Sequence, residues 1–151
     1  MSRQGIVGEL RQEDQGRWRE LWRGYLEFYQ AALPDEIYTR TWERLISKSG
    51  TLRGLCARDP LSGMMTGIVH FLLHEHAWTV QPVCYLQDLF VAPEARGQGY
   101  GRYLIEAVAE EARRLNCPRL YWLTQENNRT ARQLYDRLAA YNGFVRYDYK
   151  L

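Results

Sequence analysis

Between two apolar stretches the chain reads RGQGYGR, with Gly97, Gly99 and Gly101 crowded between Arg96 and Arg102. Glycine gives up the most conformational freedom on being ordered, so such a cluster implies backbone that turns tightly or approaches something closely. Upstream, YLQDLFV is strand-like. Downstream, Tyr100 to Leu115 repeats Leu104, Val108 and Ala112 at helical spacing. Strand, glycine loop and helix together make an anion-binding arrangement. The first amides of a helix lack internal partners, and its dipole favours negative charge there. A diphosphate fits this loop, with Arg96 and Arg102 adding charge; the plain alternative is a tight turn before a helix. Two nucleotide motifs are excluded. No GK[ST] follows the loop, and the third glycine of a dinucleotide fingerprint falls on Leu104.

The rest of the chain constrains what surrounds this loop. IVGEL (6–10) predicts an opening strand. Asp14 is placed to cap a helix whose Trp18, Leu21, Trp22, Tyr25, Leu26, Phe28 and Tyr29 form a broad apolar stripe. A second helix restarts after Pro34, with Ile37, Trp42, Leu45 and Ile46 inward. TLRGLCAR (51–58), MMTGIVHFLL (64–73) and WTVQPVCYLQDLFV (78–91) read as strands, the last two a hairpin with regular pairing only after Pro82. RLYWLTQ (119–125) is a short buried strand. Residues 128–141 form a helix with Leu134 and Leu138 in the core, stopped by Gly143, and FVRYDYKL is a final strand with an exposed edge. The order β-α-α-β-β-β-α-β-α-β predicts one α+β domain over residues 1–151, a mixed, mostly antiparallel sheet flanked by helices.

Bulk properties narrow the function classes. The formal net charge is only +2 over 151 residues, which gives no electrostatic case for nucleic acid. Cys56, Cys84 and Cys117 are odd in number and form no CxxC, so neither a disulfide framework nor a zinc site is expected. A cytoplasmic location is. No apolar run is long enough to cross a bilayer. His70, His74 and His76 share strand parity, yet the last two fall at the hairpin turn and nothing completes a ligand set, so no metal is expected.

RGQGYG has the Arg/Gln-x-x-Gly-x-Gly/Ala form of the acetyl-CoA loop, at Arg96, Gly99 and Gly101, and resembles that of the GNAT N-acetyltransferases. LFVAPEARGQGYG resembles the strand, Pro-containing loop and helix entry of that superfamily. NRTARQLYDRLAAYNGF resembles its following motif, through Asn128, Ala131, Tyr135 and Gly143-Phe144. YLQDLFV with a tyrosine at 135 is most similar to the spermidine/spermine and diamine branch and its bacterial relatives. The resemblance covers residues 50–147; the first forty residues match only in element type.

The resemblance implies direct transfer of acetyl from acetyl-CoA to a small primary amine, such as a polyamine, diamine or amino-acid-like compound. It implies that amides of Leu89, Phe90 and Val91 polarise the thioester carbonyl. The pyrophosphate then rests on Arg96, Gly97, Gln98, Gly99, Tyr100, Gly101 and Arg102, and Asn128, Thr130 and Ala131 flank the pantetheine arm. Tyr135 is the candidate general acid for the thiolate, against a reading as a core tyrosine. The branch carries a glutamate in the proton-handling position, where this chain has Gln87. An amide accepts no proton, so the role passes to Asp88 or to a water chain. Strict alternation sets Asp88 on the opposite face from Gln87. Glu27, Tyr29, Gln87 and Trp122 are expected around the amine, with Asp35 and Glu36 nearby. A homodimer through late strands is expected. The alternatives are a protein lysine or N-terminal acetyltransferase and a catalytically silent acyl-CoA sensor.

Overall fold

The computed structural model describes residues 5–151. One five-stranded sheet runs in the order β1-β2-β3-β4-β5. It is built from β1 (Val7–Glu9), β2 (Leu52–Arg58), β3 (Met65–His74), β4 (Val83–Val91) and β5 (Leu120–Trp122). The first four strands pair antiparallel, and β5 joins β4 in parallel. The helices are α1 (Gln15–Phe28), α2 (Asp35–Ser47), α3 (Tyr100–Arg114) and α4 (Arg129–Leu138). The expected α+β class and mixed sheet are therefore found.

α1 and α2 cover one face. Trp18, Leu21, Trp22 and Leu26 of α1 and Tyr38, Trp42 and Leu45 of α2 are buried, whereas Phe28 and Ile37 are exposed. Gly54, opposite His70 in the β2–β3 register, lies under this pair of helices; a Cβ there would come within 3.0 Å of Leu45 and 2.9 Å of Leu10. α3 covers the other face through Leu104, Ile105, Val108 and Ala112. Gly67 of β3 sits beneath it, 3.1 Å from Leu104 if it bore a Cβ. Asp14 stands just before α1 as expected, but its carboxylate serves the start of the fold differently. It accepts from the Arg11 amide at 2.7 Å and from Arg58 at 2.6 Å, tying the helix entry to β2.

Further sequence expectations fail. RLYWLTQ is not a buried strand: only Leu120–Trp122 pair, and Tyr121 and Leu123 are exposed. FVRYDYKL is no strand: residues 139–151 have no regular structure, and Tyr141, Phe144, Val145, Tyr147, Tyr149 and Leu151 are 68–112 % exposed. The neighbouring edge, β5, is only three residues long and offers a poor ladder within one chain. α4 ends at Leu138 rather than running to 141, and none of its residues is fully buried, so Leu134 and Leu138 are only partly covered. Little packing therefore holds its last turn. His74 closes β3 instead of lying in the turn, where its Nε2 sits 2.8 Å from the Tyr121 hydroxyl.

Candidate active site

β4 carries the irregularity that builds the site. Its register with β3 jumps from His70↔Asp88 to Phe71↔Leu86, so Gln87 is an extra residue in a β-bulge. The bulge pairs Leu86 and Asp88 with the adjacent Phe71 and His70, so Leu86 and Asp88 face opposite ways, and Gln87 and Asp88 still differ in exposure. Gln87 is exposed to solvent and Asp88 is buried, facing α1. β5 pairs with β4 only from Cys84 to Leu86, and the two strands then part. The half-buried end of β4, Leu89 to Val91, borders the resulting opening.

Beyond β4 the chain makes a short turn at Pro93–Ala95 and enters the glycine loop. Gly97 and Gly99 have φ of +77° and +88°, conformations in which a side chain is strained, so both glycines are required by backbone geometry. The first helical bond of α3 runs from the Tyr103 amide to the Gly99 carbonyl at 3.0 Å, leaving the preceding amides of the loop outside the helix. The Arg96 guanidinium donates to the Val91 carbonyl at 3.1 Å and lies over the Phe90 ring. Arg102 is exposed and bonded to Glu106, and Gln98 is exposed. The Tyr100 ring is buried, its hydroxyl 3.4 Å from Asp59, so only its amide remains for the loop. Gly101 lies where α3 meets α4, 3.7 Å from Leu134 if it bore a Cβ. A loop of left-handed glycines, free helix-start amides and flanking arginines suits a diphosphate.

Across the opening, the Asn128 side chain caps α4 by accepting from the Ala131 amide at 3.4 Å, while its Nδ2 approaches Thr124 at 3.4 Å. This cap sets the direction of α4; Thr130 is exposed and Ala131 half-buried in its first turn. Tyr135, one helical turn beyond Ala131, packs edge-on against Trp122 of β5 with centroids 5.4 Å apart. Burial pushes its phenol up to about 12, and Tyr29 of α1 adds to the shift.

Asp88 accepts from Trp22 at 3.1 Å and lies 2.8 Å from His70 Nδ1. The Tyr25 phenol faces it and is held firmly protonated, first by burial and then by the charge of Asp88. Tyr29 packs tilted against Tyr25 at 5.0 Å between centroids, and Tyr85 lies flat on Tyr121 at 4.9 Å. Burial also raises the Tyr85 phenol, partly offset by Arg146. The outcome is a buried carboxylate under a bowl of phenols, Tyr25, Tyr29, Tyr85 and Tyr135. Glu27 lies with Phe28, Phe90 and Arg96 along an adjoining cleft of about 350 Å³. Asp35 pairs with Arg19 on the surface, and exposed Glu36 follows it on α2; neither is brought to Asp88.

Sequence reading missed Tyr25, Tyr85 and His70 as site residues. Tyr25 and Tyr29 stand four apart on one helix face, a spacing that equally describes a core stripe. Among the described residues no group of three or more His, Cys, Asp or Glu side chains could hold a metal ion.

A divided parallel strand pair, a bulge and a glycine loop at a helix start define an acyltransferase site, and the comparisons agree. The model of the Acetyltransferase (GNAT) family matches residues 17–141, and the chain belongs to that family; it is an N-acetyltransferase. It is 37 % identical over 134 residues to a D-amino-acid N-acetyltransferase of Saccharomyces cerevisiae, covering 89 % of this chain and 83 % of that protein. A thialysine N-epsilon-acetyltransferase of Sus scrofa is 34 % identical over 82 residues, 54 % of this chain and 48 % of its own. Among solved structures, an aminoglycoside N-acetyltransferase in complex with CoA superposes with a TM-score of 0.81 at 20 % identity, covering 95 % of this chain and 93 % of that one.

Proposed function

We propose that this N-acetyltransferase moves acetyl from acetyl-CoA to the primary amine of a small, amino-acid-like molecule. The observation that carries this reading is the buried Asp88 carboxylate beneath a bowl of phenols at the parting of β4 and β5. A cationic amine is attracted both to such an anion and to aromatic faces. The relatives support the choice of acceptor, since those named for D-amino acids, thialysine and ornithine all act on amino-acid amines.

The roles follow from position. The loop from Arg96 to Arg102 receives the pyrophosphate, and the amides of Leu89 to Val91 receive the thioester carbonyl. The first turn of α4 flanks the pantetheine arm. Asp88 takes the proton of the ammonium; exposed Gln87, an amide on the bulge, cannot. Tyr135 returns a proton to the departing thiolate. Burial pushes its phenol up to about 12, so it still carries the proton it donates at neutral pH. Tyr29, Trp122 and Glu27 border the acceptor.

The active form is a homodimer. The exposed apolar side chains of residues 139–151 are covered when a second copy lies against them, completing the sheet at the short β5 edge. All three cysteines are free, in keeping with a reducing cytoplasm.

An amine panel assayed by free-thiol release tests the reading. Turnover of amino acids or diamines, abolished by Asp88→Asn, is expected. Turnover confined to peptide N-termini or protein lysines replaces the acceptor class, and acetyl-CoA binding with no turnover of any amine leaves a sensor.

A further inference from the structure

Behind the acceptor bowl Asp88 is joined to three buried side chains, Trp18, His70 and Trp22, that have no place in the reading so far. The Trp18 indole nitrogen lies 2.9 Å from His70 Nε2, and His70 Nδ1 lies 2.8 Å from Asp88 Oδ2. The Trp22 indole donates to that same oxygen at 3.1 Å. His70 is 1 % exposed, in the middle of a strand whose other buried residues are mostly apolar.

Elementary donor chemistry fixes the protons. An indole nitrogen can only donate, so His70 Nε2 is the bare acceptor nitrogen. The single ring proton therefore sits on Nδ1 and points at Asp88. Two N–H donors converge on Oδ2, which leaves Oδ1 for the side of Tyr25 and the acceptor bowl. A second proton cannot enter His70 at Nε2 without setting one N–H against the N–H of Trp18. The roles are the reverse of those in a catalytic triad, where a carboxylate orients a histidine.

We propose that His70, locked by Trp18, is a positioning residue for acetyl transfer: it holds Asp88 as an oriented anion whose Oδ1 receives the amine's proton. The inference rests on Asp88 as the amine's base. In the step itself an ammonium N–H bond breaks, an O–H bond forms at Asp88 Oδ1, and the freed nitrogen lone pair attacks the thioester carbonyl. The C–S bond then breaks, the Tyr135 phenol protonates the departing thiolate, and the second proton lost by nitrogen as the amide forms restores that phenol. His70 stays neutral throughout, and Asp88 later yields its proton to solvent. The titratable groups facing Asp88 are His70 from β3, Tyr25 from α1 with Tyr29 behind it, and Tyr85 from β4 itself, which Arg146 also reaches. From α2, Tyr38 packs its ring on Trp18 and Trp22.

The test uses the full chain with one accepted amine. His70→Phe keeps a ring but removes the donor, and Trp22→Phe removes the second donor without touching His70. Each is expected to lower kcat/KM for the amine about 10-fold or more at neutral pH and to move the acid limb of its pH profile upward by about one unit, the size of one charge-assisted hydrogen bond. His70→Gln, which can still donate an N–H, is expected to recover part of the loss. KM for acetyl-CoA stays unchanged. Should His70→Phe fail to fold, Trp22→Phe and ¹⁵N NMR of histidine-labelled wild-type protein decide: Nδ1 protonated and Nε2 bare is expected, and a protonated Nε2 overturns the inference. Full turnover by Asp88→Asn overturns the base assignment and this inference with it. An inactive Asp88→Asn beside folded His70→Phe and Trp22→Phe enzymes with parental pH profiles overturns the inference alone.

Discussion

Replacing Tyr135 by phenylalanine separates chemistry from packing because the structure gives the hydroxyl no structural task. The ring lies edge-on against Trp122 at 5.4 Å, a contact that phenylalanine retains. Among the described residues the Tyr135 hydroxyl makes no hydrogen bond within the chain, so its removal orphans no partner. The expected change in stability is within about 0.5 kcal/mol, the range of a substitution that disturbs neither core nor network. Catalysis is another matter. In the proposed mechanism the phenol, held protonated up to about 12, donates to the departing thiolate. Loss of a positioned general acid lowers turnover by about 10²- to 10⁴-fold. Affinity for acetyl-CoA is expected to hold within about threefold, because the loop binds through backbone amides. Steady-state kinetics with one accepted amine, a thermal melt and calorimetric titration with acetyl-CoA measure all three. A phenylalanine enzyme turning over within about threefold of the parent removes Tyr135 from the mechanism.

Gly99→Val forces a branched side chain into φ +88° and against the Tyr103 ring, 3.4 Å away, and is expected to weaken acetyl-CoA binding at least tenfold while the domain stays folded; unchanged calorimetric affinity ends the phosphate reading. Deleting residues 143–151, which join no sheet within the chain, is expected to convert a dimer to a monomer in light scattering, and an unaltered mass refutes the dimer contact. Burial pushes the Cys56 and Cys84 thiols up to about 11 and about 12, so at pH 8 both stay protonated and resist a thiol reagent in the native state. Rapid labelling of either, read by mass spectrometry, contradicts their burial. Since Tyr135 titrates near 12, its donor form persists throughout pH 7 to 10, and no alkaline loss of turnover in that window belongs to it.

Much of this molecule was legible before any coordinates. The glycine loop, the four longest helical and strand segments around it and the start of β4 after Pro82 follow from local rules that tertiary packing did not override. What was hidden depended on pairing. The C-terminal FVRYDYKL has the alternation of a strand, but alternation states a preference and not a partner, and the three-residue β5 offers almost no ladder. Helix α4 carries an apolar face in sequence, yet among the described residues nothing covers it fully. Trp18, Trp22 and Tyr25 read as core, and the two tryptophans are buried; their indole nitrogens gain meaning only when β3 brings His70 to Trp18 and β4 brings Asp88 to Trp22.

On the proposed reading, the bulge at Gln87 lets Asp88 take the place of the absent glutamate. In a regular ladder, neighbours on a strand face opposite ways, and a carboxylate one position along is lost to the site. An inserted residue shifts the alternation by one position, so Asp88 pairs with His70 while Leu86 pairs with Phe71, and Gln87 absorbs the mismatch in solvent. The cost is a buried anion that needs several donors to be tolerable, since an unpaired charge in a dry interior is strongly unfavourable. Trp22 and His70 are those donors, and Trp18 sets the proton of His70 so that it can be one. A carboxylate that serves the amine from position 88 therefore depends on the indole and imidazole groups behind it. Restoring a glutamate by Gln87→Glu in an Asp88→Asn enzyme is expected to recover little turnover. Position 87 points into solvent, where a carboxylate is neither oriented nor desolvated. Recovery to within tenfold of the parent would show that the bulge does not decide which carboxylate serves the amine.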